Sequence, residues 1–418
     1  MYYKRKLNIL ACILITGAGQ GFLYNTLKVY IIPICDSLGL LRSQVTSYST
    51  VIMLTTVFFA PIFANLYYKY NIKKLMMACT LICTLSTVGF SYATQNWHFY
   101  VFALIFGMGF NGINLTVGAN IINQWFDRRK GIATGISFAG SGFFASGMIV
   151  VLTDIIIKYD WRVAYRFSAI CSFILLSIAI LFFLKTDPTK EDLINEDNEF
   201  ENTVTTSNIE TGITKKEALK TPMFYFLLIG TYLLGVAVQS ANINMIVAFN
   251  DAGHDIIAVT KASSISLIVL GFAKILIGRF TDKLGMVLSV VIFSLATALS
   301  YICFIFPSYD MSLLVVPYLT GLGAGGYQIS VSLLTRTIFG NKDFAKIFAL
   351  MNIAQLLGTA SGGIIPSLFY DFLKSYSMCW YILLISSFVA ISFYLIALKI
   401  SKNQHKKFNE SGGVSNDN

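Results

Sequence analysis

The chain has 418 residues, 56% of them hydrophobic and 12% charged, with 31 Lys+Arg against 21 Asp+Glu. So few charges in so apolar a chain exclude an ordinary water-soluble domain. The formal net charge of +10 would suit nucleic acid, but the basic residues lie in short segments between apolar runs, which excludes a basic binding face.

Apolar runs of about 20 residues recur along the chain, each long enough to cross about 30 Å of hydrocarbon as a helix. Lipid offers the backbone no hydrogen bonds, and strict alternation is absent, so the runs predict helices and not a barrel. In chain order, twelve spans are predicted, centred near Thr16, Val57, Leu85, Ile113, Gly142, Phe173, Val236, Leu270, Leu295, Thr320, Leu356 and Phe388. The first follows Lys4-Arg5-Lys6 and is expected to stay uncleaved, because further spans follow it. With both termini inside, 23 of the 31 Lys+Arg fall in inner segments, 5 in outer loops and 3 within helices. That asymmetry predicts a plasma-membrane protein with both termini cytoplasmic.

The fourth span carries Gly107, Gly109 and Gly112, and the tenth carries Gly321, Gly323 and Gly326. Each later glycine lies 214 positions after the earlier one, as does GRFTDKLG (278–285) relative to ANLYYKYN (64–71). One offset kept at separated points implies two homologous six-helix halves. The predicted organisation is a first half over 1–184, a cytoplasmic linker over 185–221, a second half over 222–400 and a cytoplasmic tail over 401–418. Thr214 and Glu217 have capping-box spacing, so a short surface helix should lead into the seventh span. Both glycine triplets match GxGxxG, but inside membrane helices they favour close helix approach over dinucleotide binding.

Lys28 and Lys274 fall inside spans whose interiors hold no acidic residue. A charge at mid-membrane costs a few kcal/mol or more, so it should face water, a counter-ion or an interface reached by snorkelling. An anionic substrate is the counter-ion the sequence leaves room for. Gln20, Tyr24 and Lys28 recur every fourth residue, which would align them along one helix face. Asn111, Asn242 and Gln355 are amides within the fourth, seventh and eleventh spans, placed either to line a path or to join helices. Asp127, Arg128 and Arg129 at the inner end of the fourth span anchor topology, and Asp282 and Lys283 occupy the matching end of the eighth. The seven cysteines have no metal-site spacing and the three histidines lie in loops or tails. No nucleophile elbow, zinc motif or ATP-binding loop is present, so neither an enzyme nor a cofactor is expected.

Two six-helix halves with GRFTDKLG after the eighth span resemble the major facilitator superfamily. NQWFDRRKGIATGISFAGSG (123–142), TKKEALKTPMFYFLL (214–228) and FGNKDFAKIF (339–348) are similar to segments of its oxalate/formate antiporter and monocarboxylate porter branch. FLYNTLKVYIIP (22–33) resembles that branch's first helix, with Tyr24 one turn before Lys28. KILIGRFTD (274–282) resembles the stretch where the branch carries a substrate-binding arginine, a position held here by Lys274. The resemblance implies that Lys274 pairs with a substrate carboxylate. It also implies that spans 1, 4, 7, 8, 10 and 11 line the cavity, and that Asp127, Arg128, Arg129, Asp282 and Lys283 take part in gating. Leu270 stands where proton-coupled relatives have an aspartate, and Gln355 stands where the oxalate carrier has a second cation.

The expected protein is therefore an all-α membrane transporter of small mono- or dicarboxylates, with antiport favoured. Its partners are a small organic anion and the lipid bilayer, with no nucleic acid, and a monomer is allowed. Export of drugs or neutral solutes is the alternative, followed by a non-transporting sensor on the same fold.

Overall fold

Backbone groups that meet no water must bond within their own segment, and every predicted span closes as a helix in the computed structural model. Residues 2–125, 130–185, 212–340 and 342–412 are described. The first span is α1 (Tyr2–Thr16), a π-helix (Gly17–Asn25), a 3-10 turn (Leu27–Tyr30) and α2 (Ile31–Leu38). Then come α3 (Arg42–Lys69), α4 (Ile72–Phe90), α5 (Asn96–Phe110), α6 (Leu115–Trp125), α7 (Lys130–Lys158) and α8 (Trp161–Ile178). A short helix α9 (Lys215–Ala218) precedes α10 (Pro222–Asp251), α11 (Ile256–Leu284) and α12 (Met286–Ile305). The chain ends with α13 (Asp310–Phe339), α14 (Phe344–Leu373) and α15 (Ser377–Gly412).

Among the described residues, eleven stretches are long and apolar enough to cross a bilayer. The tenth predicted span, α13, is a helix of 30 residues; its glycines, Tyr327 and Gln328 dilute its apolar character. Large apolar side chains such as Phe58, Leu85, Ile170 and Ile385 face outward, as helices solvated by lipid require. The expected tail does not begin where the last helix ends, because α15 continues to Gly412.

The glycine repeat governs packing in both sets of spans. A Cβ on Gly107 would meet the carbonyl of Ile52 at 2.7 Å and Thr55 at 2.6 Å, and one on Gly321 would meet the carbonyl of Ser266 at 2.4 Å and Val269 at 2.7 Å. Gly109 lies against Cys83 and Gly112 against Cys79, while Gly323 lies against Thr297 and Gly326 against Phe293. Every contacted residue in the second set stands 214 positions after its counterpart, as the glycines do. The repeated triplets are close-approach sites between helices.

One departure from symmetry positions the candidate site. The fourth span breaks between α5 and α6, with Asn111 ending one helix and the Asn114 side chain accepting from the amide of Thr116 at 2.8 Å. Its counterpart α13 runs unbroken. The π-helix of the first span crosses this break so closely that a Cβ on Gly19 would lie 2.0 Å from the carbonyl of Ile113. Irregular backbone at membrane depth is tolerated where it is buried in protein or lines a cavity.

The first six spans meet the last six along two long seams, α7 with α11 and α3 with α14. Gly142 and Gly271 face each other in the first seam, and Thr50 Oγ1 donates to the carbonyl of Ala360 at 2.6 Å in the second.

The capping box before the seventh span forms as expected: Thr214 N–H donates to Glu217 Oε2 at 2.7 Å, and Glu217 N–H donates to Thr214 Oγ1 at 3.3 Å. The helix it starts is pinned to the α13–α14 turn. Lys215 N–H donates to Asp343 Oδ2 at 2.9 Å, and Ile213 N–H donates to the carbonyl of Phe339 at 3.0 Å. The Thr214 amide holds the Glu217 carboxyl below its ordinary range, and Lys346 followed by the Lys215 amide does the same for Asp343. Depressed carboxyl values stabilise the docked form above the unfolded range, and that support is lost as pH falls through the folded values. Hydrogen exchange of residues 212–219, corrected for intrinsic rates, should therefore show opening as pH is lowered from about 6 to about 3.5, with Asp343→Asn already open at the higher value.

Candidate substrate site

Span 1 supplies the first part of the site through small residues. A Cβ on Gly17 would strike the Phe144 ring at 2.7 Å, and one on Gly21 would lie 3.0 Å from the carbonyl of Ser141. The π-helix therefore sits directly on α7. Helical segments of this kind recur at functional positions because they turn side chains away from the regular α register. Gln20, Tyr24 and Lys28 are carried by this π-helix and the following 3-10 turn, so α-helical spacing does not align them. Gln20 Nε2 donates to Asn25 Oδ1 at 3.3 Å, and Asn25 Nδ2 donates to the carbonyl of Ser141 at 3.1 Å. Tyr24 leans on Phe110 and accepts from Gln239 Nε2 of α10 at 3.3 Å.

Both lysines are enclosed by protein. Lys28 is 4% exposed and, among the described residues, its ammonium has no hydrogen-bond partner. Lys274 is 2% exposed, and its Nζ donates to Ser141 Oγ at 2.8 Å and to the carbonyl of Phe138 at 3.3 Å. Both ammonium groups are covered by protein, whereas a snorkelling side chain holds its charged end in water. Gly135 permits this crossing, since a Cβ there would lie 3.0 Å from the Lys274 carbonyl.

The amides divide. Asn111 is buried and donates to the carbonyl of Thr56 at 3.1 Å, which ties the break in span 4 to α3. Asn242 and Gln355 are half-buried on α10 and α14. The buried polar seam between those helices is built instead by Ser240, Asn244 and Ser367: Ser240 Oγ donates to the Gly362 carbonyl at 2.8 Å, and Ser367 Oγ donates to Asn244 Oδ1 at 3.2 Å. Of the expected gating residues, Asp127, Arg128 and Arg129 lie outside the described residues. Asp282 and Lys283 are in the last turn of α11, where Lys283 is exposed.

On the face opposite the termini, a cluster that the sequence did not single out joins the two sets of spans. Arg42, at the start of α3, forms a two-point ion pair with Asp251 at the end of α10, where Nη2 donates to Oδ1 at 2.8 Å. Its Nη1 also donates to the Tyr376 hydroxyl at 2.8 Å, and its guanidinium lies 3.9 Å from the Tyr370 ring centre. Asp371 accepts from the amides of Arg42 and Ser43 at 3.3 and 2.9 Å and so caps α3. Forked Arg–carboxylate pairing and stacking on an aromatic face are both geometry-specific. In the sequence, Arg42, Asp251 and Asp371 read as charges at helix ends, with nothing to pair them across roughly 200 residues or more.

In the described geometry the contacts on the face opposite the termini are formed, and two cations are enclosed by protein. The chain belongs to the major facilitator superfamily, whose family model matches residues 9–335 and, in an overlapping stretch, 241–416. It is thus a multi-pass membrane protein of that family. It is 23% identical over 312 residues to the aspyridones efflux protein apdF of Emericella nidulans, covering 72% of this chain and 59% of that protein. It is 29% identical over 83 residues to the riboflavin transporter RibJ of Trypanosoma brucei brucei, covering 20% and 15%. Identity to monocarboxylate transporter 4 of Gallus gallus is 23% over 155 residues, covering 37% and 32%. The chain therefore spans less than two thirds of the length of each of these relatives. Among solved structures, the nucleoside transporter NupG aligns at TM-score 0.69 and 15% identity, covering 94% of this chain and 99% of that one. A bacterial homolog of the human lysosomal transporter Spinster, solved inward-facing and unoccupied, aligns at TM-score 0.63 and 14% identity over 95% of each chain. Those two likenesses show the fold.

Replacing Arg42 by Ala should open the face opposite the termini. A cysteine at Thr46, buried one turn into α3, should react with maleimide in detergent about tenfold faster in the Arg42→Ala background, the loss of about one charged hydrogen bond. Asp251→Asn should act in the same direction.

Proposed function

We propose that this chain is an antiporter of small mono- or dicarboxylates that binds them between Lys28 and Lys274. The observation that carries the reading is a Lys28 ammonium enclosed by protein and, among the described residues, without a partner, while the enclosed Lys274 ammonium has only neutral partners there. A buried cation without a counter-charge is costly, and an anion supplied by the substrate removes that cost. Tyr24 and Gln20 would border the anion from span 1, with Asn242 from α10, Gln355 from α14 and Asn111 from the break in span 4. Asp127, Arg128, Arg129, Asp282 and Lys283 would gate the face that carries the termini. Discontinuous helices meeting near the membrane midplane are a recurrent setting for substrate sites in secondary transporters. The similarity to a monocarboxylate transporter over part of the chain agrees with this reading.

The proposed organisation is two halves over 1–184 and 222–400, joined by a linker over 185–221 and followed by a tail over 401–418. The excess of Lys+Arg on the side of the termini supports a cytoplasmic placement of both in the plasma membrane. Cysteines introduced at Asn198 and Ser415 should be protected from impermeant reagents in intact cells; labelling of both from outside reverses the orientation.

Antiport follows from the cost of an empty site, and from Leu270 standing where an acid could have carried a proton. In liposomes preloaded with unlabelled carboxylate, labelled lactate or oxalate should enter quickly, and an inward pH gradient alone should not drive accumulation. Lys274→Gln and Lys28→Gln should each reduce this counterflow at least tenfold, a change of about 1.4 kcal/mol, with expression unchanged. Lys274→Arg should retain activity with altered selectivity, since charge persists and a planar fork replaces a point charge. Normal counterflow in both glutamine variants would refute the anion site.

Export of an apolar or neutral solute is the second reading. It draws on the efflux relative and on an open apolar groove of about 540 Å³ lined by Phe22, Phe143, Phe144, Met148 and Phe167. Transport that survives both glutamine substitutions would favour it.

A further inference from the structure

The partners of Lys274 belong to the other set of spans. Its ammonium, on α11, donates to Ser141 Oγ and to the Phe138 carbonyl, both on α7, and Ser141 is fully buried. The Ser141 hydroxyl directs its own proton to the Phe138 carbonyl at 2.8 Å. Toward Lys274 it therefore presents only lone pairs, as a carboxylate oxygen would, and it has no proton to offer an arriving anion. The carbonyl of the same residue accepts from Asn25 of span 1 at 3.1 Å. Ser141 thus joins span 1, α7 and α11 at one point, beside the Gly142–Gly271 crossing that lets the backbones touch.

We propose that Ser141 is a stand-in for the substrate's carboxylate. It holds the Lys274 ammonium in the unloaded carrier and ties the two halves together until an anion displaces it. This rests on the reading of Lys274 as the carboxylate ligand. The exchange runs in the required direction, because an ionised acceptor is a stronger partner for an ammonium than a neutral hydroxyl. Binding then replaces a bond between halves with a bond to cargo. A loaded carrier is released to reorient, while an unloaded one is held closed on the face opposite the termini. Ser141 is in this sense a positioning residue that favours exchange over net flux.

The test reads the unloaded protein directly. Hydrogen exchange is followed in segments 42–49 and 365–371, which lie along the α3–α14 seam, for the parent, Ser141→Ala and Ser141→Cys. A thiol fills slightly more than the serine volume but is a weak acceptor, so the two variants separate lost bonding from lost packing. Exchange about three- to tenfold faster in both variants is expected, the effect of losing one such bond. Unchanged exchange in both, or acceleration confined to one of them, overturns the tie. The reading beneath it is tested apart, by counterflow of lactate and oxalate through Lys274→Gln. Normal counterflow there, with both serine variants accelerated, keeps the tie but overturns the role of stand-in. Lost counterflow with unchanged exchange in the serine variants keeps the anion site and overturns the inference.

Discussion

Two ammonium groups enclosed in a membrane fold without an acidic partner set the terms for everything around them. Such a group cannot be left bare in lipid without a cost of several kcal/mol, and the chain answers differently for each. Lys274 reaches across to the Ser141 hydroxyl and the Phe138 carbonyl on the neighbouring helix. Lys28 rests in a 3-10 turn with no partner at all among the described residues. The backbone irregularities of span 1 and span 4 are buried around this region, where protein rather than lipid can satisfy them. Under the proposed function, the fold concentrates its electrostatic cost where cargo would bind.

The two seams share the mechanical work differently. On the face opposite the termini, Arg42, Asp251, Tyr370, Tyr376 and Asp371 form a directional cluster at the ends of three helices. Deeper in the bundle, α7 and α11 meet through glycines whose missing side chains allow carbonyls to come within contact of α-carbons. Ionic contacts open sharply once their geometry is lost, whereas small-residue contacts allow helices to slide and rock. A carrier that changes accessible sides has a use for both.

Much of the architecture was legible in the sequence because its determinants are local and repeated. Run length and hydropathy give the spans, and one offset gives the internal repeat. The capping-box spacing gives α9, down to the hydrogen bonds of Thr214 and Glu217. The two lysines also stood out, since their cost depends only on depth. What escaped depends on pairing at long range or on departures from ideal helices. The break at Asn111 carries no proline to announce it, and the π-helix over Gly17–Asn25 spoils a polar stripe that ideal geometry would draw. Ser141 and Asn25 look like ordinary small polar residues until α11 and span 1 are brought against α7. Asn244, one turn from Ser240, is one of several amides in the seventh span, and periodicity alone does not say which of them faces inward.

The repeated packing of the glycine triplets carries a historical consequence. The contacts of Gly107, Gly109 and Gly112 with Ile52, Thr55, Cys83 and Cys79 have counterparts 214 positions later, although the residues contacted have diverged to Ser266, Val269, Thr297 and Phe293. Backbone spacing has outlived side-chain identity, so the scaffold inherited from an ancestral duplication is a set of distances and not a set of residues. Against that record the broken fourth span is a divergence confined to one copy. The continuous α13 is its unbroken counterpart, the same helix spacing carried without the interruption.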